Sequence, residues 1–367
     1  MIYIRILFVG KFIEPPFSEG IINTVLNWAR AIDYAGVEIR VLSTSSTCSG
    51  SFKLFDIEFE YLNIGKKRYN MNLLNHYSFQ KYIKNIYKHY DLIHFASSAD
   101  SLLYLPLLKL MKYNSYKTVN TYHKNKIGGH HSFDAITVTS RRVYNKVIRE
   151  KNKNIKKMDV IYPCVDTNFF KKRNKIKIRE KIGIEEDLFV ILALGHFQKG
   201  RGFTQLIEVL NEINNKKVKT KLILGWSGQG ENDYINKILQ LSKKYNIKIL
   251  EPTRNINLYY NAADVYVLCT SPRNVIEFPL SVIEALSSGT PVISFNINAI
   301  PEIIVNDLNG CLIEYGNFKE LKDKIVFLMD DHSYLGGLSD YARKTATEKF
   351  SYDVIGRQWS NLYKDLT

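Results

Sequence analysis

Three groups of residues in this sequence are of types and spacings that could do chemistry. The first is GHFQKGRGFTQLIEVL, residues 195–210, in which a strand-like run ends at Gly195 and a helix-like run follows Gly202. Glycines let a backbone come close to a ligand, and a helix N-terminus offers unpaired N–H groups and a partial positive charge. Lys199 and Arg201 add charge-assisted hydrogen bonds, so the loop suits a diphosphate; a plain Gly-rich turn before a helix is the alternative. The P-loop pattern GxxxxGK[ST] is absent.

The second group is IEFPLSVIEALSSGTPVISF, residues 276–295. Glu277 falls in a loop and Glu284 on the helix after it, with apolar neighbours on both sides. A carboxylate accepts two hydroxyl hydrogen bonds at once, as a ribose diol or a sugar diol requires. Glycoside hydrolysis by a carboxylate pair fits this loop-and-helix setting less well. The third group is His94 and His123, each near the end of a strand-like run. Either could contact a sugar hydroxyl or phosphate, or transfer a proton. For His94 a polar group satisfied inside the fold is an equal reading. His130 and His131 have no Cys or acidic residue at ligand spacing, and no DxD occurs, so no metal or other cofactor is expected.

The elements that must position these residues repeat in two blocks. Short apolar runs at 3–10, 37–44, 91–97, 117–123, 134–140 and 159–163 read as strands, with a helical period over 21–36. After the charged stretch 171–188, which reads as a linker, strands follow at 188–195, 219–225, 247–250, 263–270 and 290–295. Helices are predicted at 202–214, 231–245, 255–262, 279–288 and 317–330. Strands alternating with helices imply parallel sheets covered on both faces. The expectation is α/β: two doubly wound Rossmann-like domains, 1–170 and 171–348, facing across a cleft, with 349–367 crossing back to the first.

Composition narrows the class. The chain is 367 residues, 45% hydrophobic and 24% charged, ordinary values for a globular protein. No apolar run approaches the roughly 18 residues that span a bilayer. The N-terminus reads as a first strand, and the scattered Cys48, Cys164, Cys269 and Cys311 read as reduced thiols, which suits a cytoplasmic setting. Net charge is +15; residues 1–166 hold 24 Lys and Arg against 13 Asp and Glu, so most of the excess lies in the first half. That asymmetry points to an anionic partner. No nucleic-acid motif is present.

Taken in order, these segments resemble the retaining glycosyltransferases of family 4, of GT-B fold. FSEGIINTVLNWARAI, YDLIHF, VNTYH, DAITVTS and VIYPCVDTNFF match landmarks of the family's first domain. LALGHFQKGRGF, NAADVYVLCTS, FPLSVIEALSSGTPVI and IPEIIVNDLNGCLI match those of its second, and FSYDVIGRQWSNLY its last segment. The resemblance implies a UDP- or GDP-sugar donor bound mainly by the second domain, a glycan, glycolipid or lipid-linked acceptor on the first, and metal-independent transfer. It assigns Lys199 and Arg201 to the diphosphate, with Gly195 and His196 beside them. It assigns Glu284 to the ribose, Glu277 to the transferred sugar, His123 to the reaction centre and Gly20 to a close approach of the first loop. Glu277 and Glu284 are separated by six residues where the family usually has seven, Glu19-Gly20 stands for Gly-Gly, and His196 stands where Arg is frequent.

Two further stretches bear on the acceptor. SLLYLPLLKLMKYNSYK (101–117) is apolar, and RRVYNKVIREKNKNIKK (141–157) has eight basic residues and one acidic. Docking on an anionic membrane surface would use both; a core-covering helix and a solvated face are the plain alternatives. The competing functions are a catalytically degenerate nucleotide-sugar-binding protein and a GT-B sugar-nucleotide epimerase.

Overall fold

Apolar runs too short for helices become strands in this protein, and the amphipathic segments between them become the helices that cover those strands. The computed structural model describes residues 4–11, 13, 20–45, 49–63, 73–96, 107, 109–112, 114–123, 133–150, 155–214, 219–274 and 277–367. The chain divides into two units, Met1–Cys164 with Ser351–Thr367, and Val165–Phe350.

The first unit runs β1 (Arg5–Lys11), α1 (Gly20–Tyr34), β2 (Glu38–Ser45), β3 (Gly50–Leu54), β4 (Ile57–Asn63), α2 (Leu73–Ile86), β5 (Leu92–Phe95), β6 (Lys117–Tyr122), β7 (Ala135–Val138), α3 (Arg141–Arg149) and β8 (Met158–Val160). Its sheet has the order β3-β4-β2-β1-β5-β6-β7-β8. The C-terminal helix Tyr352–Leu366 belongs to this unit and packs on α1, where Trp359 meets Trp28 edge to face. One core gathers Phe8, Trp28, Trp359 and Tyr363; another holds Phe79, Ile83, Phe95 and Tyr122. In 101–117, Leu107 and Met111 are buried in the second core while Lys109, Lys112, Asn114 and Ser115 are exposed; 101–106, 108 and 113 lie outside the described residues.

One strand departs from the all-parallel expectation. β3 pairs antiparallel with β4 through a two-residue turn at Phe55 and Asp56, both at positive φ. Their positive φ matches the twist of a tight hairpin, although neither residue is the usual Gly or Asn. The alternation Phe52, Leu54, Ile57, Phe59, Tyr61 is a strand signal that the α/β pattern overshadowed.

The second unit runs α4 (Lys175–Ile182), β9 (Phe189–Phe197), α5 (Phe203–Asn214), β10 (Thr220–Gly230), α6 (Asn232–Lys244), β11 (Lys248–Leu250), α7 (Ile256–Ala262), β12 (Val265–Leu268), α8 (Leu280–Ser287), β13 (Val292–Phe295), α9 (Ile300–Ile303), β14 (Gly310–Ile313), α10 (Phe318–Asp330) and α11 (His332–Lys349). The sheet order is β11-β10-β9-β12-β13-β14, with every pair parallel. Strand order therefore reverses between β9 and β12, and in such sheets the carboxyl ends at the reversal form the ligand crevice.

The stretch 171–188, expected as a linker, lies within this unit and holds α4. Asn174 caps the helix by accepting from the Lys177 amide at 3.0 Å, and Gly183 ends it at φ 68°. Arg179 is 4% exposed and donates to the carbonyls of Ala262, Glu186 and Leu188 and, at 2.6 Å, to Asp264. Asp264 also accepts from the Val190 amide at 2.7 Å. A charged run looks solvated in sequence; here one of its cations finds a carboxylate 85 residues away and ties α4 to the sheet.

Candidate functional site

The loop between β9 and α5 sits at the strand-order reversal. The segment after β12 braces it. The Ser271 amide donates to the Gly200 carbonyl at 2.7 Å, the Thr270 hydroxyl to the same oxygen at 3.3 Å, and the Asn274 side-chain amide to the Lys199 carbonyl. This closeness explains the glycines. Gly200 and Gly202 both have positive φ, and a Cβ on Gly202 would lie 1.9 Å from the Cys269 carbonyl oxygen. α5 then begins at Phe203, and its first-turn amides have no intrahelical acceptor. The Tyr234 hydroxyl accepts from the Thr204 backbone amide at 3.3 Å.

Arg201 is the central cation. Burial pushes its pKa down from the usual value, with the nearby Tyr266 phenol opposing. Its buried Nε has no hydrogen-bond partner among the described residues. A guanidinium stays charged even so, and a desolvated cation with an unused donor is a site prepared for an anion. Lys199, on the same loop, is exposed. Gly195 lies inside β9, which runs on to Phe197, past the predicted end at 195; a Cβ there would touch the Phe203 ring at 3.4 Å and Arg201 Cδ at 3.9 Å. His196 Nδ1 is 2.5 Å from the Ser227 hydroxyl, on neighbouring β10.

Glu284 lies on α8, which starts after Pro279. Its Oε2 accepts from the Tyr260 hydroxyl at 2.9 Å. Desolvation pushes its pKa up to about 7, and the Tyr260 hydrogen bond works the other way. Tyr266 donates to the Ser281 hydroxyl at 2.9 Å and lies in the electrostatic reach of both Glu284 and Arg201. The carboxylate and the guanidinium thus share one neighbourhood, walled by two buried tyrosines whose phenols burial pushes up. Glu277 is 7% exposed in the turn before Phe278, and residues 275–276 before it lie outside the described residues. Tyr260, Tyr266 and Asn274 did not stand out in sequence; NLYYNAADVYVL marks the tyrosines only as apolar.

The two histidines belong to the first unit and differ. His123 is 7% exposed, its Nε2 donates to the Ala96 carbonyl at 2.7 Å, and its ring lies 5.2 Å from that of Trp28. His94 is fully buried, with Nδ1 2.7 Å from the Tyr363 hydroxyl and Nε2 2.7 Å from that of Thr121. Burial, then the neighbouring His123, holds its pKa well below the usual value, so it is a neutral, satisfied core residue. Gly20 is the first residue of α1; Glu19, Cys48, His130 and His131 lie outside the described residues. Among the described residues no group of three His, Cys, Asp or Glu could hold a metal.

Two family models match the chain: "Glycosyltransferase Family 4" over residues 18–169 and "Glycosyl transferases group 1" over 174–345. An N-acetyl-alpha-D-glucosaminyl L-malate synthase of Bacillus anthracis is 24% identical over 64% of this chain; the match spans 60% of that relative's length. An uncharacterised glycosyltransferase of Haemophilus influenzae is 24% identical over 96% of this chain and 99% of its own. Among solved structures, Anabaena HepE in complex with UDP and glucose superposes with a TM-score of 0.77 at 17% identity, covering 99% of this chain and 100% of that one. At that identity the likeness shows the fold, which is GT-B.

Proposed function

The chain belongs to the group 1 glycosyl transferases of glycosyltransferase family 4, and from that premise we propose that it moves a sugar from a UDP- or GDP-sugar to a glycan or lipid-linked acceptor, with retention of anomeric configuration and without a metal. One observation carries this reading: the desolvated Arg201, with a buried donor unused, in the same electrostatic neighbourhood as Glu284. A nucleoside diphosphate needs that pair, a cation for the phosphates and a carboxylate for the ribose diol.

The chemistry follows from charge. As the anomeric bond breaks, negative charge grows on the departing diphosphate and positive charge on the sugar. Arg201, Lys199 and the N-terminus of α5 stabilise the diphosphate, the role a divalent cation plays elsewhere. Glu284 accepts the ribose hydroxyls. Glu277 takes a hydroxyl of the transferred sugar, and His123, oriented by the Ala96 carbonyl, is our candidate for the reaction centre. No protein nucleophile is assigned. HepE, solved with UDP and glucose, makes a UDP-sugar the first donor to try.

The acceptor side carries a second part of the reading. α3 buries Val143 and Val147 and exposes Arg141, Arg142, Lys146, Arg149 and Ile148. This basic face suits an anionic membrane surface, so we read the enzyme as cytoplasmic and peripheral. No helix among the described residues is long and apolar enough to cross a membrane. Co-sedimentation with acidic vesicles at low salt tests this part, and absence of binding removes it.

The test of the central reading is calorimetry with a panel of nucleotide-sugars on wild type and Glu284→Ala. One donor should bind, and its affinity should fall at least tenfold in the variant. Binding of no nucleoside diphosphate would turn the reading to a degenerate member of the family.

A further inference from the structure

The basic run 171–181 is only partly explained by Arg179. Three of its other cations, Lys172, Arg173 and Lys175, line a cavity of about 330 Å³ within the second unit, together with Ser288, His332 and Gly336. The cavity lies at the amino-terminal edge of the sheet, where Asp264 precedes β12 and Pro291 precedes β13. The Arg201 loop is at the opposite, carboxyl-terminal edge.

Charge is the first argument. The lining carries three permanent cations against one carboxylate, Asp264, which buried Arg179 already neutralises at 2.6 Å. Lys175 also reaches Asp264, and Lys172 reaches Asp340, each at 2.7 Å, but both lysines are about 40% exposed. Such surface pairs contribute little and release a lysine readily to a stronger acceptor. The N-terminus of the 18-residue helix α11, beginning at His332, is already capped by the Asp331 carboxylate, which accepts from the Tyr334 amide at 2.8 Å, so the cations of the run carry the charge argument.

One further observation points to an occupant, and another shows that there is room for it. Ser288 is 3% exposed, and its buried hydroxyl has no hydrogen-bond partner among the described residues. The carbonyls around it are already taken: Ser287's accepts from Arg343 at 2.7 Å and Gly289's from Ser339 at 2.6 Å. What remains there is a hydroxyl able to donate. Gly336 stands inside α11, where glycine weakens a helix, and a Cβ at that position would meet nothing within 4 Å. Gly336 is exposed and Gly337 beside it is equally open, so this part of the helix leaves room at the cavity.

We propose that this cavity is a second anion site, which takes a small phosphate dianion, either inorganic phosphate or the phosphate of a sugar monophosphate. Cations from the run before and within α4 and a hydroxyl from the end of α8 converge from separate elements, as a tetrahedral anion requires. The site does not depend on the donor reading.

Thermal unfolding with inorganic phosphate or glucose 1-phosphate, against chloride at matched ionic strength, tests it on the full chain. At ten times its dissociation constant a bound anion should raise the midpoint by about 3 °C. The rise should persist in Arg201→Ala, which removes the donor-side cation, and vanish in Arg173→Glu and in Gly336→Leu, which fills the cavity. Arg173 is exposed, so its variant reads the site even where Gly336→Leu does not fold. A larger rise with glucose 1-phosphate identifies a sugar phosphate, and equal rises identify free phosphate. No rise over chloride, a rise that survives Arg173→Glu, or one lost in Arg201→Ala overturns the proposal.

Discussion

His94 in the first unit and Arg201 in the second are both polar groups taken out of water, yet their surroundings are opposite. His94 has a partner on each ring nitrogen, the Tyr363 and Thr121 hydroxyls, and Thr121 passes the chain on to Thr137 at 2.5 Å. Arg201 keeps a buried Nε with none among the described residues. The first arrangement is complete without a ligand; the second is complete only with one. An orphan donor alone is not the signal, since the Trp359 indole N–H beside His94 also lacks a partner there. A neutral indole tolerates this at a modest cost. Arg40 Nε lacks a partner as well, but that guanidinium is neutralised by Glu58 and Glu60 at 3.0 and 3.1 Å, whereas Arg201 has no ion pair among the described residues, and that unneutralised charge is what an anion would meet.

The comparison can be broken in four ways, in descending order of effect. Arg201→Ala should lower kcat/KM by roughly 10²–10³-fold, the scale for losing a donor to developing charge, while Tm moves little. Steady-state kinetics beside a melting curve checks both; a large loss of Tm would mean that Arg201 is structural. His94→Ala should do the reverse. It takes the partner from the buried Tyr363 hydroxyl, leaves Thr121 only its bond to Thr137, and opens a cavity, so stability should fall by about 3 kcal/mol in urea unfolding, with kcat of the remaining folded protein close to wild type.

Glu284→Gln sharpens the contrast through pH. A carboxyl held near 7 in the fold and at about 4.5 in the unfolded chain binds its proton more tightly when folded. Its contribution to stability is therefore present at acid pH and lost as pH rises from about 4.5 through about 7. That loss should disappear in the glutamine variant. His94 has the opposite sign: with a folded pKa well below 6.5, its contribution is present above about 6.5 and lost as pH falls. Melting curves across pH 4.5–8 for the two variants separate the terms. Asn274→Ala is the smallest change. Removing the brace to the Lys199 carbonyl should weaken donor binding by about 3–10-fold by calorimetry, the worth of one hydrogen bond, with no change in stability beyond error.

Much of this was legible along the chain. The strands and helices expected over 188–295 and 317–330 agree with those of the second unit to within a few residues, because period and length reflect local backbone geometry, whereas α9, β14 and α11 were not expected. The glycines at 200 and 202 pointed to a tight loop, and the apolar flanks of Glu284 pointed to a carboxylate turned inward. Three things were not legible. The hairpin of β3 and β4 was hidden because its turn residues, Phe55 and Asp56, are not the usual ones. The stretch 171–188 read as solvated because Arg179 meets Asp264 only through the fold. His196 and Ser227 meet across two strands, with a helix between them in the chain.

The sequence by itself determined the α/β alternation and the residue types able to grip a diphosphate and a diol. Each of these depends on a short window of chain, where sterics and burial period act locally. Only the tertiary structure decided which polar groups are satisfied: that Tyr260 meets Glu284, that His94 is fully paired, and that Arg201 and Ser288 each keep an unused donor. Partnership of that kind is set by elements tens of residues apart that pack together. Desolvation, which turns an arginine into an anion site and lifts a carboxyl towards 7, exists only once they have done so.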